Sequence, residues 1–266
     1  MIKQLILKLL SKFKRPHRYS GYEAHVTNLH KSPNDSRDYT LHVTSVLPEK
    51  HSLTELAEIK SQGSIGSCAS FAICTAMEML YKINEYVIPQ DKLSELFHYY
   101  IVRQDDFGNT YPADSGQYLR DGLRVSQKIG ITAEILHPYN VHKFNKKPSM
   151  LATSFARFYK SLYYYRLKNI QEIKNAIAMN LPVIVGLRVT FSFLRPSSFL
   201  YEHKYLQQYG GHAVVVTAYN DKDRTFEIVN SWGKSWGNNG TIKIRYIDFE
   251  KLYFEAWTMN IKNGFR

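Results

Sequence analysis

Cysteine is scarce in this chain: two residues, Cys68 and Cys74, among 266. Six positions apart on one predicted helix, their side chains point in different directions, which argues against a disulfide between them. A fold built without covalent crosslinks suits a reducing compartment such as cytoplasm or a virion. Long apolar runs are missing too; none approaches the roughly 20 residues that cross a bilayer as a helix. Acidic residues are outnumbered, 23 against 35 Lys and Arg, for a formal charge of +12 with histidine neutral. Such a surplus suits an anionic partner. The acids are interspersed with the bases, however, and no zinc-finger or RNA-recognition signature accompanies them, so no specific nucleic acid is expected. The histidine spacings match no common metal site, so the expected reading has no metal and no cofactor.

The first 22 residues contain six bases and no acid. Ile2, Leu5, Ile6, Leu9, Leu10 and Phe13 recur at helical spacing until Pro16. Lys8 breaks the apolar run, which makes it a poor signal peptide. A basic amphipathic helix touching a membrane through residues 1–15 is one reading. Docking on the protein's own body, or a poorly ordered tail, is the preferred one. Residues 17–51 read as polar loop and hold His17, His25, His30, His42 and His51, half of the ten histidines. Residues 1–46 are therefore assigned to an N-terminal extension and 47–266 to one domain beginning at Leu47-Pro48. With 44% hydrophobic residues the chain can bury one substantial core or two modest lobes.

The chemistry centres on Gln62-Gly63-Ser64-Ile65-Gly66-Ser67-Cys68. A tight glycine-rich turn runs directly into a segment, Cys68 to Tyr81, that is small or apolar on nearly every side apart from Thr75 and Glu78. A helix apolar all round is a buried helix. Cys68 then sits at its first turn, where unpaired N–H groups and the positive end of the helix dipole favour a thiolate. Further along, Gly210-Gly211-His212-Ala213 heads a β-branched run, and Asn230-Ser231-Trp232-Gly233 follows another. A helix-opening cysteine, then a histidine, then an asparagine is an order suited to nucleophile, base and orienting group.

Elsewhere the pattern predicts helices over Asp91 to Arg103, from just after Ser115-Gly116 to about Lys128 with Gly130 closing it, and over Asn169 to Met179, ended by Asn180-Leu181-Pro182. Pro148 to Leu162 reads as a connection with a short helix. Strands are expected at Val183 to Val189, Ala213 to Tyr219, Thr225 to Asn230 and Thr241 to Tyr246. His137 and His142 are expected at the surface. Helices in the first half and strands in the second make an α+β chain of two lobes with a cleft between them. A monomer is expected.

Taken together, Gln62 six residues before Cys68, the Gly66-Ser67-Cys68 turn, Gly211-His212-Ala213, and Asn230-Ser231-Trp232-Gly233 with Trp236-Gly237 resemble the papain-like cysteine peptidases over roughly residues 45 to 260. The resemblance is to disulfide-poor bacterial and large-DNA-virus members. It implies a helical N-terminal lobe, an antiparallel sheet or barrel as the C-terminal lobe, and hydrolysis of peptide bonds through a Cys68/His212/Asn230 triad and a thioester acyl-enzyme. Gln62 and the Cys68 backbone N–H would form the oxyanion hole, and Trp232 would cover the His212 to Asn230 contact. Ser115, Gly116 and Gly211 would line the peptide-binding cleft. Pro138-Tyr139 matches the family's Pro-Tyr corner. Many members are held latent by an N-terminal prosegment; the usual long helical one is absent here, but a short loop within residues 1–46 has room for that task, with histidine protonation as a release. The chain departs from the family at Ala69, where a tryptophan is common, and over Asp248 to Asn260. Two other readings fit the same residues: an acyl-transfer or amidase enzyme with this triad, and a catalytically silent peptide-binding relative.

Overall fold

A computed structural model describes residues 27–36, 38–41, 46–88, 92–105, 108–196, 200–201 and 208–261. The predicted helix over residues 2–13, and His17, His25 and His42, lie outside the described residues.

In chain order the elements are β1 (Leu29–His30), β2 (Lys50–Ser52), α1 (Cys68–Ile83), α2 (Glu95–Val102), β3 (Gln117–Tyr118), α3 (Leu119–Lys128), α4 (Met150–Ala156), β4 (Ser161–Leu167), α5 (Ile170–Ala178), β5 (Val183–Thr190), α6 (Phe191–Leu194), β6 (Leu200–Tyr201), β7 (Gln208–Asn220), β8 (Thr225–Val229), β9 (Thr241–Arg245), α7 (Tyr246–Leu252) and β10 (Tyr253–Ile261). The long strands form one sheet in the order β4-β10-β5-β7-β8-β9-β6, with β2 added to the far end of β7. Its pairings are antiparallel except for β6 with β9.

α1 is the axle of the molecule. Every residue from Cys68 to Tyr81 is buried, as its all-round apolar sequence requires. It packs against α2 and α3 on one side and against β7, β5 and β10 on the other. α1, α2 and α3 form the helical lobe, and the sheet, with α5, α6 and α7 packed on it, forms the other. Burying a Met, Phe or Leu side chain fully is worth about 1.5–3 kcal/mol, and Ile73, Met77 and Met79 of α1 are each 0% exposed. The buried charged residue of α1, Glu78, meets a cation: Lys60 Nζ lies 2.5 Å from Glu78 and 2.7 Å from Glu95. Burial pushes the Glu78 carboxyl up, and the lysine opposes it.

Several boundaries differ from the sequence expectation. α2 starts at Glu95, four residues later than Asp91, because Ser94 caps it by accepting the Phe97 N–H. β7 begins at Gln208, so His212 lies inside the strand and does not head it. β4 starts in the last two residues of the expected connection and runs on through 163–167, where no element was expected; its Tyr163-Tyr164-Tyr165 run lacks alternation, and its pairing with β10 decides it. α7 takes Tyr246, the last residue of an expected strand, and with β10 covers the stretch where the sequence departs from the family, and helices α5 to α7 interleave with strands in the second half. His137 is buried, not at the surface, and burial lowers its pKa to about 4.

His98 on α2 is 0% exposed, its Nε2 2.9 Å from the Gly122 carbonyl and its Nδ1 2.8 Å from Ser70 Oγ. A carbonyl only accepts, so Nε2 keeps its hydrogen. Burial lowers its pKa to about 4. An unfolded histidine titrates near 6.5. Because the folded value is the depressed one, the stabilisation is complete above about pH 6.5 and drains away as pH falls towards 4. Between pH 7 and 5 the loss from this residue is about 2 kcal/mol. Urea midpoints at the two pH values should show it, and His98→Gln should flatten the slope by that share.

Candidate active site

The turn that delivers Cys68 is braced from three directions. Both oxygens of Asp114 accept the Gly66 N–H, at 2.9 and 2.8 Å, and Asp114 also accepts the Tyr99 hydroxyl. The Tyr139 hydroxyl donates to the Gln62 carbonyl at 2.6 Å and lies 2.9 Å from Ser67 Oγ. The Gln62 N–H in turn reaches the Ser231 carbonyl at 2.8 Å, which ties the turn to the sheet lobe. Cys68 opens α1 with Ser67 as its cap residue.

Opposite stands His212, 0% exposed in β7. The backbone N–H of Ala213, the residue after His212, lies close enough to the Cys68 sulfur to favour its ionised form, which brings the helical lobe's cysteine to the strand that carries His212. His212 Nε2 is 2.7 Å from Asn230 Oδ1. That atom also accepts the Ser231 N–H at 2.7 Å, which marks it as the oxygen of the amide. Nε2 therefore carries the ring hydrogen, and Nδ1 is left as the proton-accepting nitrogen. Trp232 stacks on the imidazole at 4.3 Å between centroids, and Phe193 meets both rings edge-on. Trp236 closes this aromatic wall, its Nε1–H donating to the Phe193 carbonyl at 2.9 Å.

Gln62, 0% exposed, has its amide orientation set at both ends: Ser231 Oγ donates to Oε1 at 2.7 Å, and Nε2 donates to the Ile65 carbonyl at 3.0 Å. Ser231 thus bridges Gln62 and Asn230. Sequence reading singled out both of those residues and passed over Ser231, Asp114 and any role for Tyr139. Adjacency to Asn230 was the available signal for Ser231; for Asp114 there was none, since its acceptor role appears only when the loop folds back on Gly66.

The sequence argument favoured a thiolate at Cys68, and here the structure departs from it. Cys68 is 1% exposed, and burial pushes its pKa up to about 11. The N–H groups of Ala213, Ala69 and Cys68 itself pull the other way without offsetting that burial.

The cleft beside this turn is occupied by the chain itself: a Cβ on Gly66 would stand 3.0 Å from the Asn28 Cβ. Residues 27–30 run through the cleft between the lobes. β1 pairs in parallel with β3, Leu29 opposite Gln117 and His30 opposite Tyr118, while Asn28 bridges to Gly211 on the other wall. Gly116, at φ +70, permits this approach: a Cβ there would stand 1.8 Å from the Asn28 carbonyl oxygen. A Cβ on Gly211 would stand 2.2 Å from the Leu29 carbonyl oxygen. Thr27 Oγ1 donates to the Tyr209 carbonyl at 2.5 Å and Asn28 Nδ2 to the Asp114 carbonyl at 3.1 Å. His30 Nε2 lies 3.2 Å from the Ser115 carbonyl. Leu29, 5% exposed, lies over Gly186 beside Phe254. All four residues expected to line the cleft or cover the site are here: Ser115, Gly116 and Gly211 touch the strap, and Trp232 covers His212. His51 is elsewhere, in β2, its Nε2 2.8 Å from Asn180 Oδ1.

Residues 47–252 match the family model described as papain family cysteine protease. A peptidase C1-like protein of Acanthamoeba polyphaga mimivirus is 32% identical over 218 residues, covering 76% of this chain and 69% of that protein. A cathepsin L-like proteinase of Fasciola hepatica is 25% identical over 196 residues, 71% of this chain but 56% of that protein. The chain thus spans little more than half of that relative's length. Among solved structures, xylellain, a cysteine protease from Xylella fastidiosa, superposes with a TM-score of 0.82 at 26% identity, covering 93% of this chain and all of that one. Digestive procathepsin L 3 of Tenebrio molitor, at 20% identity and a TM-score of 0.68, shares the fold. Similarity thus extends to a large virus and a bacterium, as the disulfide-poor sequence anticipates, and both cysteines are free and buried.

Proposed function

Because this chain belongs to the papain family of cysteine proteases, we propose that it hydrolyses peptide bonds by the Cys68, His212 and Asn230 relay and is drawn here in a latent form, its cleft covered by its own N-terminal strap. The observation that carries the reading is the chain of contacts from Cys68 sulfur to the Ala213 N–H, and from His212 Nε2 to Asn230 Oδ1.

The chemistry follows from the tautomer. Nδ1 of His212 takes the thiol proton, and the sulfur attacks the scissile carbonyl carbon. The carbonyl π pair moves onto oxygen, where the Cys68 backbone N–H and the Gln62 amide stabilise the developing charge. The imidazolium then gives its proton to the departing amine as the C–N bond breaks, leaving a thioester. Water loses a proton to Nδ1, adds to the thioester, and frees the acid and the thiol. Asn230 holds the ring by accepting from Nε2–H throughout; being neutral, it sets direction more than charge. Trp232 and Phe193 exclude water from that contact, which strengthens it.

The strap explains the raised thiol pKa. Withdrawing residues 27–30 would rehydrate the sulfur, remove the desolvation that dominates the shift, and leave the N–H groups of Ala213, Ala69 and Cys68 to favour the thiolate. Among the histidines assigned a release role from sequence, His30 alone touches the cleft among the described residues, through the Ser115 carbonyl.

A peptidyl epoxide tests the catalytic reading. Stoichiometric modification at Cys68, with cleavage of peptides outpacing that of small amides, is the expected result. Absence of any adduct at Cys68 after the strap has been removed by limited proteolysis would leave a peptide-binding relative as the better description, and preference for small amides would point to an amidase.

A further inference from the structure

The strap is held at a second place, well away from the sulfur. Beyond β1, the Ser32 N–H donates to Glu255 Oε1 at 3.2 Å, and Ser32 Oγ accepts the Arg120 N–H at 3.2 Å. Asp38 then enters between two arginines from different elements. Arg120 of α3 grips it with Nε to Oδ1 at 3.0 Å and a terminal nitrogen to Oδ2 at 2.6 Å; Arg166 of β4 adds a contact to Oδ2 at 3.1 Å. The side chains are only 14%, 16% and 8% exposed for Arg120, Arg166 and Asp38. Both guanidinium groups lie 5.4 Å from the centroid of Trp257, itself 0% exposed and tied through Nε1 to Glu255 Oε2 at 2.9 Å. The Arg166 N–H also takes the Tyr39 carbonyl at 2.8 Å.

We infer that Arg120 and Arg166 form a carboxylate-binding site which the chain fills with its own Asp38, and that filling it decides whether the cleft is covered. The inference rests on the strap being inhibitory, as proposed above. The contacts at Thr27, Asn28 and His30 use main-chain carbonyls of the cleft and hold the strap with modest neutral hydrogen bonds. The Asp38 contacts are charge-assisted, one of them bidentate, and partly buried, so they are stronger and less screened than a surface pair. Two cations held against one ring repel each other, and the carboxylate that touches both offsets this repulsion. Asp38 therefore holds more than its own end: it supplies the contacting carboxylate of a site on which Asp35 and Glu255 act at Arg120 besides. The carboxylate lies ten residues from Asn28, so losing it frees a long lever held by the Ser32 contacts and by the neutral hydrogen bonds of Thr27, Asn28 and His30.

The two cysteines of the chain supply an internal control. Strap release exposes Cys68; loss of the fold exposes Cys68 and Cys74 together, because Cys74 lies 0% exposed in the middle of α1. Alkylation by iodoacetamide, followed at each cysteine by mass spectrometry, should be about tenfold faster at Cys68 in Asp38→Asn than in the native chain, with Cys74 unchanged and Asp38→Glu close to native. In a background of Arg120→Gln with Arg166→Gln, Asp38→Asn should add nothing further. Equal acceleration at both cysteines would overturn the proposal, as would an Asp38→Asn effect that persists without the arginines. A Leu29→Asp variant separates this idea from the one beneath it. If Leu29→Asp speeds Cys68 alkylation and Asp38→Asn does not, the carboxylate site is no latch although the strap still inhibits. If neither does, both proposals fall.

Discussion

Alanine at position 68 is expected to slow peptide hydrolysis by about five orders of magnitude in kcat, with an unfolding midpoint close to native. In the proposed mechanism the sulfur makes and breaks the bond to substrate, and its loss leaves only oxyanion stabilisation and positioning to act on water. The structural cost is small. The methyl of alanine occupies space already buried at 1% exposure, and no side-chain partner is stranded, since the groups acting on the sulfur are the backbone N–H groups of Ala213, Ala69 and residue 68 itself. Turnover measured alongside urea denaturation checks both halves. A variant that keeps more than about a hundredth of native turnover would remove Cys68 from the mechanism.

Gln62→Ala is expected to lower kcat by 10²- to 10³-fold, about 3 to 4 kcal/mol of transition-state stabilisation, with KM nearly unmoved. Its amide is rigidly presented: Ser231 Oγ holds Oε1 and the Ile65 carbonyl takes one hydrogen of Nε2. The interaction strengthens as the substrate oxygen becomes an oxyanion, so the loss belongs in kcat. Ser231→Ala offers the graded comparison. It leaves the amide in place but releases its far end, so kcat should fall less than in Gln62→Ala. Steady-state kinetics after the strap has been removed by limited proteolysis separate these cases, since every variant then presents the same open cleft. Equal losses in KM and none in kcat would assign Gln62 to substrate binding instead.

The catalytic constellation was legible before any coordinates because its chemistry demands particular residue types at particular places along the chain. A thiol at the first turn of a helix buried on every side, an imidazole on a β-branched strand and an amide after the next strand leave few other readings. The helix expected from Cys68 to Tyr81, the one over Asn169 to Met179 and the strand at Val183 came from apolar patterning and β-branching, which are local properties. What was misread is non-local. β4 carries three successive tyrosines with no alternation, and only its ladder to β10 makes it a strand. His137 carries nothing in its own neighbours that says it is covered.

The sequence by itself determined which atoms can do chemistry here and on which elements they ride, because helix burial, capping and β-propensity act over a few residues. Tertiary structure alone decided the state of that chemistry. The polar stretch before Leu47 looks like plain loop, yet residues 27–30 pass between the lobes and Asp38 lies between arginines 82 and 128 positions away. The helix terminus that should ionise Cys68 is overruled by burial, since desolvation depends on everything that packs around a sulfur, including segments the sequence places far from it.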